Sequence, residues 1–157
     1  MSTPSSKRNT ILFLVIAAGA LAVDQLLKLL VVMLMEPGQS VTVIPGVLDI
    51  TYSTNTGAAF GILKGSGQVL FLVALVVVVL TVAWFYYTRH QEGTWSFIAL
   101  GMVIGGALGN LADRLLRGKV TDFLDLGWWP VFNFADVVIV TGVIIFVVGT
   151  ALELMKE

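Results

Sequence analysis

Long runs of apolar residues without an ionisable side chain dominate this chain. They cover residues 11–23, 29–35, 65–88, 93–112 and 137–152. A helix that crosses a bilayer needs about 20 apolar residues, and the third and fourth runs reach that length alone. The first and last spans reach it only if they include ionisable residues: Asp24, Lys28 and Asp136. We therefore predict four transmembrane helices, over about 11–35, 68–88, 95–115 and 133–154, in a single membrane-embedded domain that covers residues 1–157.

The connection between the first two spans differs from the helices in composition. Residues 40–44 and 47–54 are rich in Val, Thr, Ile and Tyr, and Pro-Gly pairs precede both segments. This pattern predicts strands bounded by turns, and hence a small β-rich subdomain over about 38–64 at the membrane surface. Residues 89–94 and 117–130 are interpreted as a short polar turn and an intermediate loop. The predicted fold class is an all-α membrane protein with four transmembrane helices and this β-rich subdomain between helices 1 and 2.

Composition agrees with a membrane location and limits the types of side chain that could form a catalytic site. Hydrophobic residues make up 57% and charged residues 12%, about half the charged share of a soluble domain. The net charge of −1, with nine scattered basic residues, gives no footprint for nucleic acid. The chain has no cysteine and one histidine, His90, which excludes disulfides, thiol catalysis and two-histidine zinc sites. The remaining candidates are carboxylates, amides, hydroxyls, Lys and Arg.

The unusual polar residues fall near one membrane face. With four spans, the end of the first, the start of the second, the end of the third and the start of the fourth share one side. Residues 36–67, 110–122 and 133–136 therefore meet there. Asp24 lies 13 residues beyond Ile11, about 20 Å along a helix, and is displaced toward the same side. The sequence thus predicts a polar site at this face.

The third span carries glycine at every fourth position, at Gly101, Gly105 and Gly109. This spacing lets another helix approach closely. We interpret it as a packing face without a catalytic role.

Asp122 and Asp136 are the candidate catalytic pair. Without a usable histidine, thiol or metal cluster, two close carboxylates indicate an aspartic dyad that shares one proton. One member takes a proton from water and the other polarises the scissile carbonyl. A structural interpretation of each stays open: Asp122 as a loop carboxylate that caps an amide, and Asn133 with Asp136 as a helix N-cap and a first-turn acid.

Two other classes of function compete with a peptidase. Asp24 and Lys28, at i and i+4 on one helix face, form either a pair that lowers the cost of insertion or a brace for a site. With Asp136 they also suggest a proton or ion relay in a small transporter. A non-catalytic scaffold that uses the glycine face is the third interpretation, and it leaves both candidate aspartates unexplained.

Five blocks, in order along most of the chain, resemble the bacterial lipoprotein signal peptidases (signal peptidase II). The blocks are Asp24-Gln25-x-x-Lys28, Asn55-Thr56-Gly57-Ala58-Ala59-Phe60, Gly105-Gly106-Ala107-Leu108-Gly109-Asn110-x-x-Asp113-Arg114, Val120-x-Asp122-Phe123 and Phe132-Asn133-x-Ala135-Asp136. The resemblance implies an aspartic endopeptidase that cleaves signal peptides from prolipoproteins before a diacylglyceryl-modified cysteine. It also implies a multi-pass protein of the bacterial inner (cytoplasmic) membrane, with cytoplasmic termini and an active site near the extracytoplasmic face.

The resemblance also assigns roles to individual residues. The catalytic pair is Asp122 and Asp136. The substrate-binding residues are Asn55, Gly57, Asn110, Arg114 and Asn133. The supporting residues are Asp24, Lys28 and Asp113. We expect no cofactor and no metal, prolipoprotein and membrane lipid as the only partners, no nucleic acid, and a monomer. One departure is the short interval between the two catalytic positions, through Gly127-Trp128-Trp129-Pro130, where family members often have a longer loop.

Overall fold

The computed structural model describes residues 4–56, 67–88 and 94–155. These form four helices and three strands. In chain order they are α1 (Pro4–Leu34), β1 (Ser40–Ile44), β2 (Leu48–Asn55), α2 (Gly67–Thr88), α3 (Thr94–Arg117), β3 (Val120–Asp125) and α4 (Phe134–Leu154). The molecule is therefore mostly helical with one small sheet.

Three helices in the described ranges are long and apolar enough to cross a membrane. They are Lys7–Leu34 within α1, Thr94–Arg117 and Phe134–Leu154. Within α2, Leu72–Tyr87 is a further apolar helical segment in the described part of the chain. Large apolar side chains are exposed on the outer surfaces of the helices, among them Leu14, Leu80 and Val148. Such surfaces are stable when lipid surrounds them, because hydrocarbon carries no penalty for contact with an apolar side chain.

Helix α3 packs against each of the other three helices. Its glycine face meets α1: a Cβ on Gly105 would lie 2.5 Å from the Ala17 carbonyl oxygen and 2.7 Å from the Ala20 Cβ. Gly106, one position further round the helix, faces α4, where a Cβ would lie 2.6 Å from the Ala135 carbonyl oxygen. The predicted packing face is confirmed, and the small residues bring α3 close to two neighbours at once.

We expect Gly105→Ala to lower the free energy of unfolding by about 1–3 kcal/mol, the usual cost of overpacking a rigid contact. The added methyl would meet α1 backbone, which cannot rotate away. Gly19→Ala on α1 is the matched control, because a Cβ there has nothing within 4 Å. Thermal unfolding of both variants in detergent measures the difference. Equal midpoints for the two variants would contradict the packing argument.

The three strands form one antiparallel sheet in the order β1-β2-β3. The two strands expected between the first two spans are present as β1 and β2. The interpretation of residues 117–130 as an intermediate loop was wrong, because Val120–Asp125 forms β3 and pairs with β2, with Asn55 opposite Val120 and Ser53 opposite Asp122. A six-residue strand beside a turn has little local signal, and its hydrogen-bonding partner lies far away in sequence.

The sheet rests on the C-terminal half of α1. Val31 of α1, Tyr52 of β2 and Phe123 of β3 form a buried apolar cluster there. This contact holds β3 against the helices at the end where α3 finishes and α4 begins. The rest of the expected β-rich segment, residues 57–64, lies outside the described residues, and Gly57 lies in that part.

Candidate active site

Asp122 is the third residue of β3, and it is only 3% exposed. The Asn133 side chain donates a hydrogen bond from Nδ2 to Asp122 Oδ1 at 2.6 Å. Asn55, at the end of the neighbouring strand β2, also hydrogen-bonds to the Asp122 carboxyl group. The sheet thus brings a carboxyl group and two amides together beside the helix ends.

Asp136 lies in the first turn of α4 and forms a reciprocal cap with Asn133. The Asn133 Oδ1 accepts from the Asp136 backbone N–H at 3.1 Å, and Asp136 Oδ2 accepts from the Asn133 backbone N–H at 3.2 Å. The N-cap interpretation is therefore confirmed. It does not exclude a second role, because Asn110 Nδ2 also donates to Asp136 Oδ1 at 2.8 Å. The cap fixes the carboxyl group in one orientation.

Two asparagine amides connect the two candidate catalytic carboxyl groups. Asn133 contacts both, through its side chain to Asp122 and its backbone to Asp136. Its Nδ2 also donates to Asn110 Oδ1 at 3.1 Å, and Lys28 Nζ donates to the same oxygen at 2.9 Å. Since two donors fix the Asn110 oxygen, the Asn110 nitrogen faces Asp136. The amides therefore hold the carboxyl groups near each other in a defined arrangement.

The three predicted supporting residues form a buried ionic network beside this pair. Lys28 Nζ lies 2.8 Å from Asp24 Oδ2 and 3.3 Å from Asp113 Oδ2, and all three side chains are fully buried. Arg117 Nη1 lies 3.0 Å from Asp113 Oδ1. Two cations thus balance two carboxylates, as burial of charge requires. These contacts engage both oxygens of Asp113, which favours the supporting role predicted for it.

Arg114 lies in the last turn of α3. Its Nη1 donates to the Asn110 carbonyl oxygen at 3.2 Å, and its charge acts on both Asp136 and Asp122. The side chain is partly exposed, unlike Lys28. The partly exposed guanidinium group therefore places positive charge close enough to act on the two carboxyl groups.

Burial raises the pKa of Asp122 from its ordinary 3.8 to about 6, because water hydrates the buried carboxylate ion less well than an exposed one. The hydrogen bond from Asn133 opposes this rise, and the negative charge of Asp136 adds to it. Asp122 therefore keeps its proton to a higher pH than an exposed aspartate does. A carboxyl group of this kind can act as a proton donor near neutral pH.

This pKa predicts how the stability of the protein changes with pH. The folded state binds the Asp122 proton more tightly than the unfolded state, so between about pH 4 and pH 6 stability falls as pH rises. Asn at this position keeps an acceptor for Asn133 and does not titrate. We expect Asp122→Asn to unfold at a higher temperature than the wild type at pH 7, with the difference disappearing below about pH 4. Thermal unfolding across this range checks the trend, and a difference that shrinks as pH rises would contradict it.

The structure thus gathers most of the predicted site at one end of the helices. The pair and its immediate neighbours are Asp122, Asp136, Asn55, Asn110, Arg114 and Asn133. Sequence reasoning missed Gln25, whose Nε2 donates to Asp24 Oδ2, to the Gly109 carbonyl oxygen and to Asp113 Oδ1 at 3.1, 3.2 and 3.4 Å. The available signal was an amide within an apolar span, since hydrocarbon penalises an unsatisfied polar side chain.

Comparisons with known proteins agree with the resemblance. The chain matches the family described as Signal peptidase (SPase) II over residues 16–152. The lipoprotein signal peptidase of Mycobacterium avium (strain 104) is 45% identical over 147 residues, which is 90% of this chain and 79% of that protein. The lipoprotein signal peptidase of Rhodococcus jostii (strain RHA1) is 42% identical over 160 residues, covering 98% and 79% of the two chains.

A solved structure shares the fold. It is described as a bacterial membrane enzyme determined by the in meso method at 2.3 Å resolution. The TM-score is 0.84 at 32% sequence identity, with 92% of this chain and 90% of that chain covered. The comparisons give no support to the transporter interpretation. Because the family match and the relatives both extend over most of its length, this chain belongs to the signal peptidase II family, whose members are peptidases.

Proposed function

We propose that this protein is an aspartic peptidase that removes signal peptides from diacylglyceryl-modified prolipoproteins, cutting just before the lipidated cysteine. The observation that carries the proposal is the pair of carboxyl groups, Asp122 and Asp136, held together by Asn110 and Asn133. Relatives at 40–45% identity are lipoprotein signal peptidases. A purely structural role for the two buried carboxyl groups would not require both of them to contact the linked amides of Asn110 and Asn133. Nor would it require a partly exposed arginine beside them.

The proposed chemistry needs one proton shared between the two carboxyl groups. The ionised member removes a proton from water, and the water oxygen attacks the scissile carbonyl carbon. The protonated member gives its proton to the carbonyl oxygen as the tetrahedral intermediate forms. The carboxyl group that took the proton from water then gives it to the amide nitrogen and the C–N bond breaks. One hydroxyl of the intermediate returns its proton to the other carboxylate as the new carboxyl group forms, which restores the singly protonated pair. Burial, which raises the pKa of Asp122 to about 6, favours a proton on the pair in this pH range.

Substrate contacts are assigned to groups that lie beside the two carboxyl groups or belong to the same sequence block. The partly exposed Arg114 is placed to donate to substrate backbone carbonyls and to stabilise developing negative charge. Asn55 is placed at the end of β2 beside Asp122. Gly57 belongs to the same sequence block and completes the proposed set. Asn110 and Asn133 use their amides to hold the carboxyl groups, so we assign them mainly to orienting the pair.

We also propose how the helices and the site are arranged in the membrane. Helix α2 has 22 residues, about 33 Å long, and packs against α3, so we propose that it forms the fourth span. The site lies near the ends of α3 and α1 and at the start of α4, so we propose that it lies near one membrane face. We propose that this face is extracytoplasmic and that both termini lie in the cytoplasm. We also propose that the protein is a monomer in the inner membrane.

The proposal is tested with the purified protein in detergent and two forms of one prolipoprotein. One form carries diacylglycerol on its cysteine and the other does not. We expect cleavage of the lipidated form alone, and mass spectrometry of the product should show the modified cysteine as its first residue. Cleavage at another bond, or no cleavage of the lipidated form, would refute the proposed function.

A further inference from the structure

Each proposed catalytic aspartate directly follows a residue whose backbone N–H is bound by a buried carboxylate. On β3, Thr121 N donates to Asp113 Oδ2 at 3.0 Å. On α4, Ala135 N donates to Asp24 Oδ1 at 2.9 Å. Both hydrogen bonds are buried, and each is charge-assisted, which makes it short and resistant to exchange with water. The backbone is therefore fixed one residue before each member of the pair.

The two buried carboxylates are joined to each other through α1. Lys28 Nζ contacts Oδ2 of both Asp24 and Asp113, at 2.8 and 3.3 Å. Gln25 Nε2 also lies within hydrogen-bonding distance of both groups, at 3.1 and 3.4 Å, and of the Gly109 carbonyl oxygen at 3.2 Å. An unbroken series of contacts therefore runs from the β3 backbone through α1 to the α4 backbone.

This series has little room to deform. Asp24, Lys28 and Asp113 are fully buried, so their attraction is not screened by water. On the α3 side, a Cβ at Gly109 would collide with the Asp24 carboxylate, which shows how closely the helix approaches it. Packed, unscreened contacts of this kind transmit position between elements.

We propose that Asp24, Gln25, Lys28 and Asp113 form a clamp that sets the separation of the two catalytic carboxyl groups, with Gln25 as a positioning residue. The inference rests on the proposed function. Gln25 contacts neither catalytic side chain in the described hydrogen-bond network, so it acts through the two buried carboxylates. The clamp links β3 and α4, which carry one catalytic residue each.

The separation of the pair has a measurable consequence beyond stability. Two close carboxyl groups titrate as a coupled unit, and the width of the pH–rate profile reflects how strongly they interact. The charged groups that act on the pair are Lys28, Asp24 and Arg114, and Asp113 acts on Arg114. Replacing the neutral Gln25 removes none of these charges. A change in profile width on its replacement therefore reports a change in separation.

We expect Gln25→Leu to lower kcat about tenfold with KM within about twofold, because misplaced catalytic groups affect the chemical step more than substrate binding. The acid and alkaline limbs of the kcat profile should approach each other by about one pH unit as the pair separates. Gln39→Leu is the matched control, since it makes the same chemical change at an exposed glutamine. It should keep the wild-type profile.

Gln25→Asn provides a second variant that retains a polar group but is too short to bridge both carboxylates, and it should narrow the profile in the same way. The full-length protein in detergent serves for all measurements, with its thermal midpoint as a check on folding. An unchanged profile width in a folded variant would overturn the clamp even if kcat falls. A wild type that does not cleave lipidated substrate would instead refute the proposed function.

Discussion

Asp122→Asn and Asp136→Asn should each lower kcat for cleavage of a lipidated prolipoprotein by between about a hundredfold and ten-thousandfold. An amide can neither take a proton from water nor deliver one to the carbonyl oxygen. The loss should appear in kcat while KM changes little, because each variant removes a group that acts in the transition state. Asn preserves the shape of Asp and keeps an acceptor oxygen for Asn133 at either position.

Asp125→Asn is the matched control for this experiment. Asp125 also lies on β3, and its carboxyl group accepts from Thr51 Oγ1 and from the Gly127 backbone N–H. The same substitution there should leave cleavage within about twofold of wild type, since the two hydrogen bonds of Asp125 involve neither catalytic carboxyl group. Initial rates of product formation, with thermal unfolding of each variant, give the comparison. Full activity in Asp122→Asn or Asp136→Asn would remove that residue from the catalytic pair.

Lys28→Met should produce the largest loss of stability, about 3–5 kcal/mol in the free energy of unfolding. Lys28 Nζ neutralises Asp24 and Asp113 and also donates to Asn110. Its removal leaves two fully buried carboxylates facing each other with less compensating charge. Methionine fills a similar volume, so the effect reports lost charge and hydrogen bonds more than a cavity.

Lys7→Met is the control for Lys28→Met, because it makes the same substitution on α1 at an exposed position. We expect a change of at most about 0.5 kcal/mol for the control. Chemical or thermal unfolding in detergent, together with the yield of monodisperse protein, measures both variants. A Lys28→Met protein as stable as the control would show that the buried network contributes little to folding.

The helices and the first two strands could be predicted because their signals are local. An apolar run without charge predicts a membrane-spanning helix, and a Val- and Thr-rich segment that follows a Pro-Gly pair predicts a strand. Strand β3 could not be found in this way. Its residues include Asp122 and Asp125, and aspartate is depleted in strands. They form a strand because β2 offers backbone hydrogen bonds and Phe123 packs against α1.

The sequence predicted which residues form the site better than it predicted which of them contact each other. Scarcity of charge made Asp24, Lys28 and Asp136 conspicuous, and the ordered sequence blocks supplied the asparagines. The sequence did not show the role of Gln25, because a single amide in an apolar span does not indicate which groups it contacts. Nor did the sequence reveal that Thr121 and Ala135 each donate a backbone N–H to a buried carboxylate.

By itself, the sequence indicated that this protein lies in a membrane. It also located the apolar helices and the small set of polar residues that could form a catalytic site. Those properties follow from transfer free energies and residue types, which act along the chain. The tertiary structure decided which polar groups share a hydrogen bond, which are neutralised by a partner and how β3 and α4 are held beside each other. These depend on distances between elements far apart in sequence, because electrostatic and hydrogen-bond energies vary steeply with separation and burial.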